Sequence, residues 1–167
     1  MMRKIMSEIM KSLKSFNVLL PDTGASQLSY CVINGLNKLC LTNPEIDCVV
    51  FYENQHKNCL PANFSIMQIF ECWGSSEPII ATTISTAKKL LHFPCRKKLF
   101  YVWDLEWIRE PNTKKYEDYS DVYANKSIEL IARSESHKEI IENAFNRPVK
   151  YIVPDFETSK ILEILNG

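Results

Sequence analysis

Short, uninterrupted apolar runs alternate along this chain with segments whose apolar residues recur every three to four positions. Runs of about five β-forming residues are typical of strands buried on both faces of a parallel sheet, and the recurring pattern predicts amphipathic helices. The predicted strands span residues 17–21, 47–54, 64–70, 78–85, 99–103, 127–134 and 149–155. The predicted helices span residues 26–41, 85–93, 116–124, 135–146 and 156–167.

This alternation predicts a single α/β domain: a doubly wound, mainly parallel sheet with helices on both faces, of the Rossmann-like type. The sequence shows no internal repeat, low-complexity segment or linker, and its 167 residues are enough for one domain with a substantial core. Six apolar residues are expected on neighbouring strands of the sheet: Val18, Val49, Ile80, Tyr101, Leu130 and Ile152.

The beginning of the chain carries a basic amphipathic pattern. Apolar residues fall at helical spacing at positions 2, 5, 6, 9, 10 and 13, whereas three lysines and Arg3 lie on other faces. This pattern predicts an N-terminal helix over residues 1–15, followed by the α/β domain over residues 16–167. Such a helix docks on its own domain or on a partner, or makes peripheral contact with an anionic membrane.

Overall composition narrows the class of protein. Twenty acidic and twenty basic residues cancel, which argues against a dedicated nucleic-acid binder. No apolar segment is long enough to cross a membrane, and the charges scattered near the N-terminus do not fit a signal peptide. The six cysteines form no CxxC pair and match no zinc pattern. We therefore expect free thiols in the cytoplasm, with neither a metal nor a cofactor.

The main candidate site is the stretch KKLFYVWDLEWIR, residues 97–109. An apolar run ends at Trp103 and is followed by Asp104, Glu106 and Trp107. Polar function in parallel sheets gathers just past the carboxyl ends of the strands, which is where these acids are expected. The simpler interpretation is that both tryptophans belong to the core and that the acids are solvated.

Residues after three other predicted strands join this candidate site. After the first strand, a small-residue turn precedes a helix whose free amides can bind an anion, although one glycine makes no dinucleotide fingerprint. Ser134 or Ser136 is also expected to cap the helix that follows the strand 127–134. The candidate ligand-binding residues in these places are Thr23, Gly24, Ala25, Ser26, Trp73, Gly74, Arg133, Ser134 and Glu135.

The last third of the chain reads IELIARSESHKEIIENAFNRPVKYIVPDF. It resembles the end of the N-terminal Rossmann-like domain of a GT-B glycosyltransferase. In that family a strand ending in Ser is followed by a helix and by a strand that enters a Val-Pro or Ile-Pro turn. The similar pieces here are residues 128–134, 137–145 and 149–154. The opening NVLLPDTGASQLSY is similar to the first strand and acceptor-side loop, so the resemblance covers residues 16–154 by order of elements.

The resemblance implies half of an enzyme. A GT-B glycosyltransferase has a second Rossmann-like domain that supplies most contacts to the nucleotide sugar, and this chain stops about where that domain is expected. We therefore expect an acceptor-side half, which needs a partner polypeptide to transfer a sugar from a nucleotide-sugar donor to a hydroxyl acceptor. Activity of this chain alone is not expected.

The same resemblance implies roles for the candidate residues. Asp104, with Glu106 in reserve, would deprotonate the acceptor hydroxyl, and Trp103 or Trp107 would offer its ring to a sugar. Arg133 would meet a phosphate through its planar fork, with a surface salt bridge as an equal alternative. Two further interpretations stay open: a non-catalytic module that binds a ligand or a protein, and a small nucleotide-binding or regulatory α/β protein.

Overall fold

The computed structural model describes residues 15–109 and 113–167. The helix predicted over residues 1–15 lies outside the described residues, apart from Ser15, which begins the first strand. The described chain is α/β with a parallel sheet, as the sequence predicts.

Strands and helices follow one another in nearly the predicted order. The strands are β1 Ser15–Asp22, β2 Asp47–Asn54, β3 Ser65–Gln68, β4 Ile79–Ala81, β5 Lys98–Tyr101, β6 Ile128–Ala132 and β7 Tyr151–Ile152. The helices are α1 Gln27–Thr42, α2 Ile84–Leu90, α3 Glu106–Arg109, α4 Thr113–Ala124, α5 Glu135–Phe145 and α6 Thr158–Asn166. The 3₁₀ segments Ile69–Gly74 and Pro154–Phe156 and the one-turn helix α3 are not indicated by the sequence pattern.

The described strands form one sheet in the order β3-β2-β1-β4-β5-β6-β7, and every pair is parallel. The register sets Val18 of β1 beside Ile80 of β4, and Tyr101 of β5 beside Ile131 of β6. The predicted placement of six apolar residues on neighbouring strands is confirmed. β1 is followed by β2 and β3 on one side of it, and β4 to β7 are then added on its other side. The strand order therefore reverses between β1 and β4.

Helices cover both faces of the sheet, as predicted. Side chains of a strand alternate between faces, so Val18 and Leu20 contact the core under α1 and α6, whereas Leu19 contacts the core under α2, α4 and α5. The inner strands are buried on both faces, which is why their sequences read as continuous apolar runs.

Several predicted strands are longer than the observed ones, and in two of them a local turn or helix start ends the strand. The strand predicted over 64–70 stops at Gln68, where the 3₁₀ segment begins. The strand predicted over 78–85 stops at Ala81, because Thr83 and Thr86 form a reciprocal capping box that starts α2. Hydroxyl groups in this run therefore favour a helix start over a longer strand.

The last predicted strand, 149–155, is also shorter than expected. Only Tyr151 and Ile152 pair with β6 as a strand, and Val153 adds one further bond from its amide to the carbonyl of Ala132. Pro154 has no amide hydrogen to donate, so the ladder ends there. The chain then turns through the second 3₁₀ segment into α6.

Candidate functional site

The candidate residues follow four consecutive strands of the sheet, β1, β4, β5 and β6, and the strand order reverses between the first two of them. β1 leads into residues 22–26, β4 into Thr82, β5 into Trp103 and Asp104, and β6 into Arg133. These strands are parallel neighbours, so all four ends lie at the same edge of the sheet. Ligands of open α/β sheets bind in the crevice at this reversal. We call this region the carboxyl edge.

The turn after β1 is closed by its own side chains. Oδ1 of Asp22 accepts a hydrogen bond from the amide of Gly24 at 2.8 Å. Oγ of Ser26 caps α1 by accepting from the amide of Ser29 at 3.1 Å, and the Ser29 hydroxyl donates to the carbonyl of Asp22 at 2.8 Å. The turn is therefore a preformed entry to the helix rather than an open loop.

Half of this turn faces inward. The Thr23 hydroxyl donates to Oδ1 of Asn58 at 2.6 Å, and a Cβ on Gly24 would lie only 3.3 Å from Cβ of His56. Thr23 and Gly24 are buried against the loop that follows β2, whereas Ala25 and Ser26 are exposed. Of the four predicted residues in the turn, only Ala25 and Ser26 are therefore accessible from solvent.

Asp104 lies at the carboxyl edge, but both of its oxygens have partners. Oδ1 accepts a hydrogen bond from the amide of Leu105 at 2.9 Å, and Oδ2 forms an ion pair with Arg109 at 3.0 Å. The side chains of Asp104 and Arg109 are 37% and 75% exposed, so solvent screens this pair. A ligand hydroxyl can reach Asp104, in competition with Arg109.

Glu106, the second candidate for the general base, binds the N-terminus of α2. Its Oε1 accepts a hydrogen bond from the amide of Ile84, the first residue of α2, at 3.1 Å. Such an amide has no partner within its own helix, and a carboxylate is favoured near its partial positive charge. The contact gives Glu106 a structural role that joins α3 to α2.

The Arg133 guanidinium lies 3.9 Å from the centre of the Trp103 ring and covers one face of the indole. It also donates to Oδ1 of Asp155 at 2.9 Å and, weakly, to the carbonyl of Trp103 at 3.4 Å. The salt bridge that the sequence left as an alternative for Arg133 is therefore present. One face of Trp103 is unavailable to a sugar while Arg133 stays in place.

Trp107 is a core residue, as the simpler interpretation of the sequence held. Its side chain is 9% exposed and packs edge-on against Tyr123 and Phe145, with ring centres 4.9 Å apart in each pair. The expectation that Trp107 offers its ring to a sugar does not fit this position, because the ring has no free face toward the crevice.

The structure does not bring Trp73 and Gly74 to the carboxyl edge. They end the 3₁₀ segment, which leads back toward the amino ends of the strands. The next residue, Ser75, accepts a hydrogen bond from Asn17, the third residue of β1, at 2.6 Å. The ring of Trp73 packs edge-on against Phe93, which follows α2, at 5.0 Å. These residues belong to a different surface from the other candidates.

The start of α5 behaves as the sequence predicts. The hydroxyl of Ser134 accepts a hydrogen bond from the amide of His137 at 3.2 Å and caps the helix, and Ser136 contacts Ser134 at 3.1 Å. Glu135 is exposed in the first turn, where a negative charge favours the helix. Both candidates lie at the carboxyl edge beside Arg133, with capping as the role that their contacts show.

His137 is a member of this cluster that the sequence analysis missed. Burial lowers the pKa of His137, the charge of Arg133 lowers it further, and the charge of Asp104 partly offsets both. Within the described chain, Nδ1 of His137 and Nε of Arg133 are buried without a hydrogen-bond partner. The position of His137 in the first helical turn after Arg133 is the signal that could have identified it.

The hydroxyl of Tyr101 makes two hydrogen bonds to the turn that contains Asp155. It donates to the carbonyl of Val153 at 2.8 Å and accepts from the amide of Phe156 at 2.9 Å. Asp155 and Phe156 have left-handed backbones with φ of 45° and 57°, which are uncommon for residues other than glycine. Burial raises the pKa of Tyr101 to about 12, and the hydrogen bond from Phe156 partly offsets that rise.

Comparison with known proteins does not assign this chain to a family. No family model, curated protein or solved structure matches this chain.

No group of three or more His, Cys, Asp or Glu side chains in residues 15–109 and 113–167 is arranged to hold a metal ion. None of the helices in the same ranges is long and apolar enough to cross a membrane. All six cysteines are free thiols.

Proposed function

We propose that this chain is a ligand-binding Rossmann-like domain whose site is the carboxyl edge. Within that class, we propose the acceptor-side half of a GT-B-like transferase, which holds a hydroxyl acceptor while a partner polypeptide supplies the nucleotide sugar. The observation that carries the proposal is the reversal of strand order between β1 and β4, beside which Ala25, Ser26 and Asp104 are accessible. This crevice is where such sheets bind ligands.

The groups at this edge suit a polyhydroxylated ligand. Asp104 offers carboxylate lone pairs to ligand hydroxyls, and Ser26, whose hydroxyl already donates to Oγ of Ser29 at 2.9 Å, can add an acceptor lone pair. In a complete enzyme Asp104 would take the acceptor proton while the sugar–phosphate bond breaks. That step requires Arg109 to leave Oδ2 of Asp104, so the described arrangement fits a binding state rather than a reacting one.

A second candidate function is a binding module without catalysis in any assembly. It is favoured by the contacts of Asp104, Glu106 and Arg133, each of which already has a partner within the protein. A preformed catalytic base normally keeps a lone pair aimed at its substrate, whereas both oxygens of Asp104 and Oε1 of Glu106 already interact with groups of the protein.

The binding proposal is tested by amide NMR of the full chain titrated with a panel of methyl glycosides. We expect shifts grouped around Ala25, Ser26 and Asp104, and only weak effects from a nucleotide sugar. Ala25→Trp should block the crevice and abolish the shifts. Ala124→Trp, at another exposed alanine at the end of α4, should leave them unchanged. Shifts confined to other surfaces, or none at all, would refute the site.

Transfer itself distinguishes the two candidates. If a partner polypeptide reconstitutes sugar transfer, Asp104→Asn should lower turnover by a factor of ~100 to 10,000, as expected for loss of a general base. The substitution is nearly isosteric, so thermal unfolding of the variant should match that of the wild type. Unchanged turnover would remove Asp104 from the mechanism. Rapid transfer by this chain alone would contradict the half-enzyme proposal.

A further inference from the structure

An apolar groove of about 330 Å³ lies on the α2 face of the sheet, away from the carboxyl-edge crevice. The 3₁₀ segment and the end of α2 form its walls, with Ile69, Phe70, Trp73, Lys89, His92 and Phe93. Phe70 is 75% exposed and Trp73 is 54% exposed. Large aromatic side chains gathered in one exposed depression mark an interaction surface. We call it the aromatic groove.

The chain enters the sheet beside this groove. Ser15 is the first residue of β1, and the side chain of Asn17 donates to Oγ of Ser75 at 2.6 Å. Ser75 stands two positions after Trp73, which lines the groove. Residue 14 is three positions before Asn17, and an extended chain covers at most about 3.6 Å per residue, so it lies within about 11 Å of Asn17. The segment 1–14 is therefore joined to the described chain close to the groove.

The residue types of this segment complement the groove. Apolar side chains recur at positions 2, 5, 6, 9, 10 and 13, and three of them are methionines, which fill irregular apolar surfaces well. Basic residues lie on the other faces of the pattern. Lys89 in the groove wall already forms an ion pair with Glu53 at 2.5 Å, so the groove offers a docked segment mainly its apolar and aromatic side chains.

We propose that the apolar face of residues 1–14 docks in the aromatic groove of the same chain. The short tether gives the segment a high effective concentration at the groove, which favours it over the same segment of another copy. Docking removes Phe70 and Trp73 from water, which supplies the driving force. The inference concerns a surface apart from the carboxyl edge and stands whether or not the chain binds a sugar.

The test is limited trypsin digestion of the full chain, with cleavage after Lys11 followed by mass spectrometry. A docked segment is cut only when it opens, so the cleavage rate is proportional to the fraction of chains in which the segment is open. Phe70→Ser should accelerate cleavage, by about tenfold if the docked form outnumbers the open one about tenfold. The matched control is Leu41→Ser, because Leu41 is also 75% exposed but lies at the end of α1.

A reciprocal variant tests the other side of the contact. Ile5→Ser combined with Ile9→Ser should accelerate cleavage as Phe70→Ser does, whereas Ser7→Ala should leave the rate unchanged. Equal rates in wild type and Phe70→Ser would overturn the proposal, as would equal acceleration by Leu41→Ser. Protection that grows with protein concentration would show that the groove takes the segment of a second copy, which also overturns docking within one chain.

Discussion

Removal of one buried hydroxyl tests whether the carboxyl edge is held as described. In Tyr101→Phe the carbonyl of Val153 and the amide of Phe156 lose a partner, and water cannot replace it because all three residues are at most 1% exposed. An unsatisfied buried polar group costs about 1–3 kcal/mol, so the two together should lower the free energy of unfolding by about 2–6 kcal/mol. The turn that carries Asp155 should loosen with it.

The assay is thermal and urea unfolding of the full chain. A loss of about 2–6 kcal/mol corresponds to a decrease in Tm of about 4–24 °C for a domain of this size. The control is Tyr30→Phe, because Tyr30 is 50% exposed and its substitution should change stability by less than about 0.5 kcal/mol. If Tyr101→Phe is no more destabilising than the control, the hydroxyl does not hold the turn and the placement of Asp155 is wrong.

Alkaline pH gives an independent measure of the same group. Folding raises the pKa of Tyr101 from 10.0 to about 12, chiefly through burial. The associated stability is complete below pH 10 and is lost as the pH rises through about 12. Wild type should therefore lose stability relative to Tyr101→Phe across this interval, by about 1.4 kcal/mol for each pH unit that separates the folded and unfolded pKa values. Parallel curves for the two proteins would contradict the burial of this hydroxyl.

Two further predictions address the titrating groups. The pKa of His137 should rise in Arg133→Gln and fall in Asp104→Asn, because the charge of Arg133 lowers it and the charge of Asp104 raises it. NMR titration of the imidazole measures this pKa. Equal values in the wild type and both variants would contradict the proximity of His137 to these two charges. Cys40 and Cys48 should stay reduced although their sulfur atoms are 3.6 Å apart, because burial, reinforced by Cys40, raises the pKa of Cys48. Intact mass in the absence of reductant checks this, and a chain two hydrogens lighter would disprove it.

The fold could be predicted because its determinants are local. A strand buried on both faces must be apolar throughout, and a helix on one face must be apolar every three to four residues, so both patterns are visible in a short window. The bounds of the elements were harder to predict where two local preferences compete. The run Ile79–Ile84 is rich in β-forming residues, yet the hydroxyls of Thr83 and Thr86 end the strand by starting a helix.

The site was predictable only in part, because its contacts join distant parts of the chain. The rule that function gathers at strand ends placed Asp104 and Arg133 at one edge correctly. The inward position of Trp107 depends on Tyr123 and Phe145, which belong to helices that follow it in the sequence. The partner of Arg133 depends on a left-handed turn at Asp155 and Phe156, a conformation that Asp favours only weakly and Phe does not favour.

The two acids of the candidate site differ in how readily a ligand can recruit them. The ion pair of Asp104 with Arg109 is exposed, and pairs of this kind contribute only about 0–1 kcal/mol, so a ligand hydroxyl can displace Arg109 at little cost. The hydrogen bond from the amide of Ile84 to Glu106 is partly buried, and breaking it leaves the first amide of α2 without that partner. Ligand binding at the carboxyl edge should therefore engage Asp104 and leave Glu106 in place. A structure with bound ligand in which Arg109 still contacts Asp104, while the amide of Ile84 no longer donates to Glu106, would contradict this expectation.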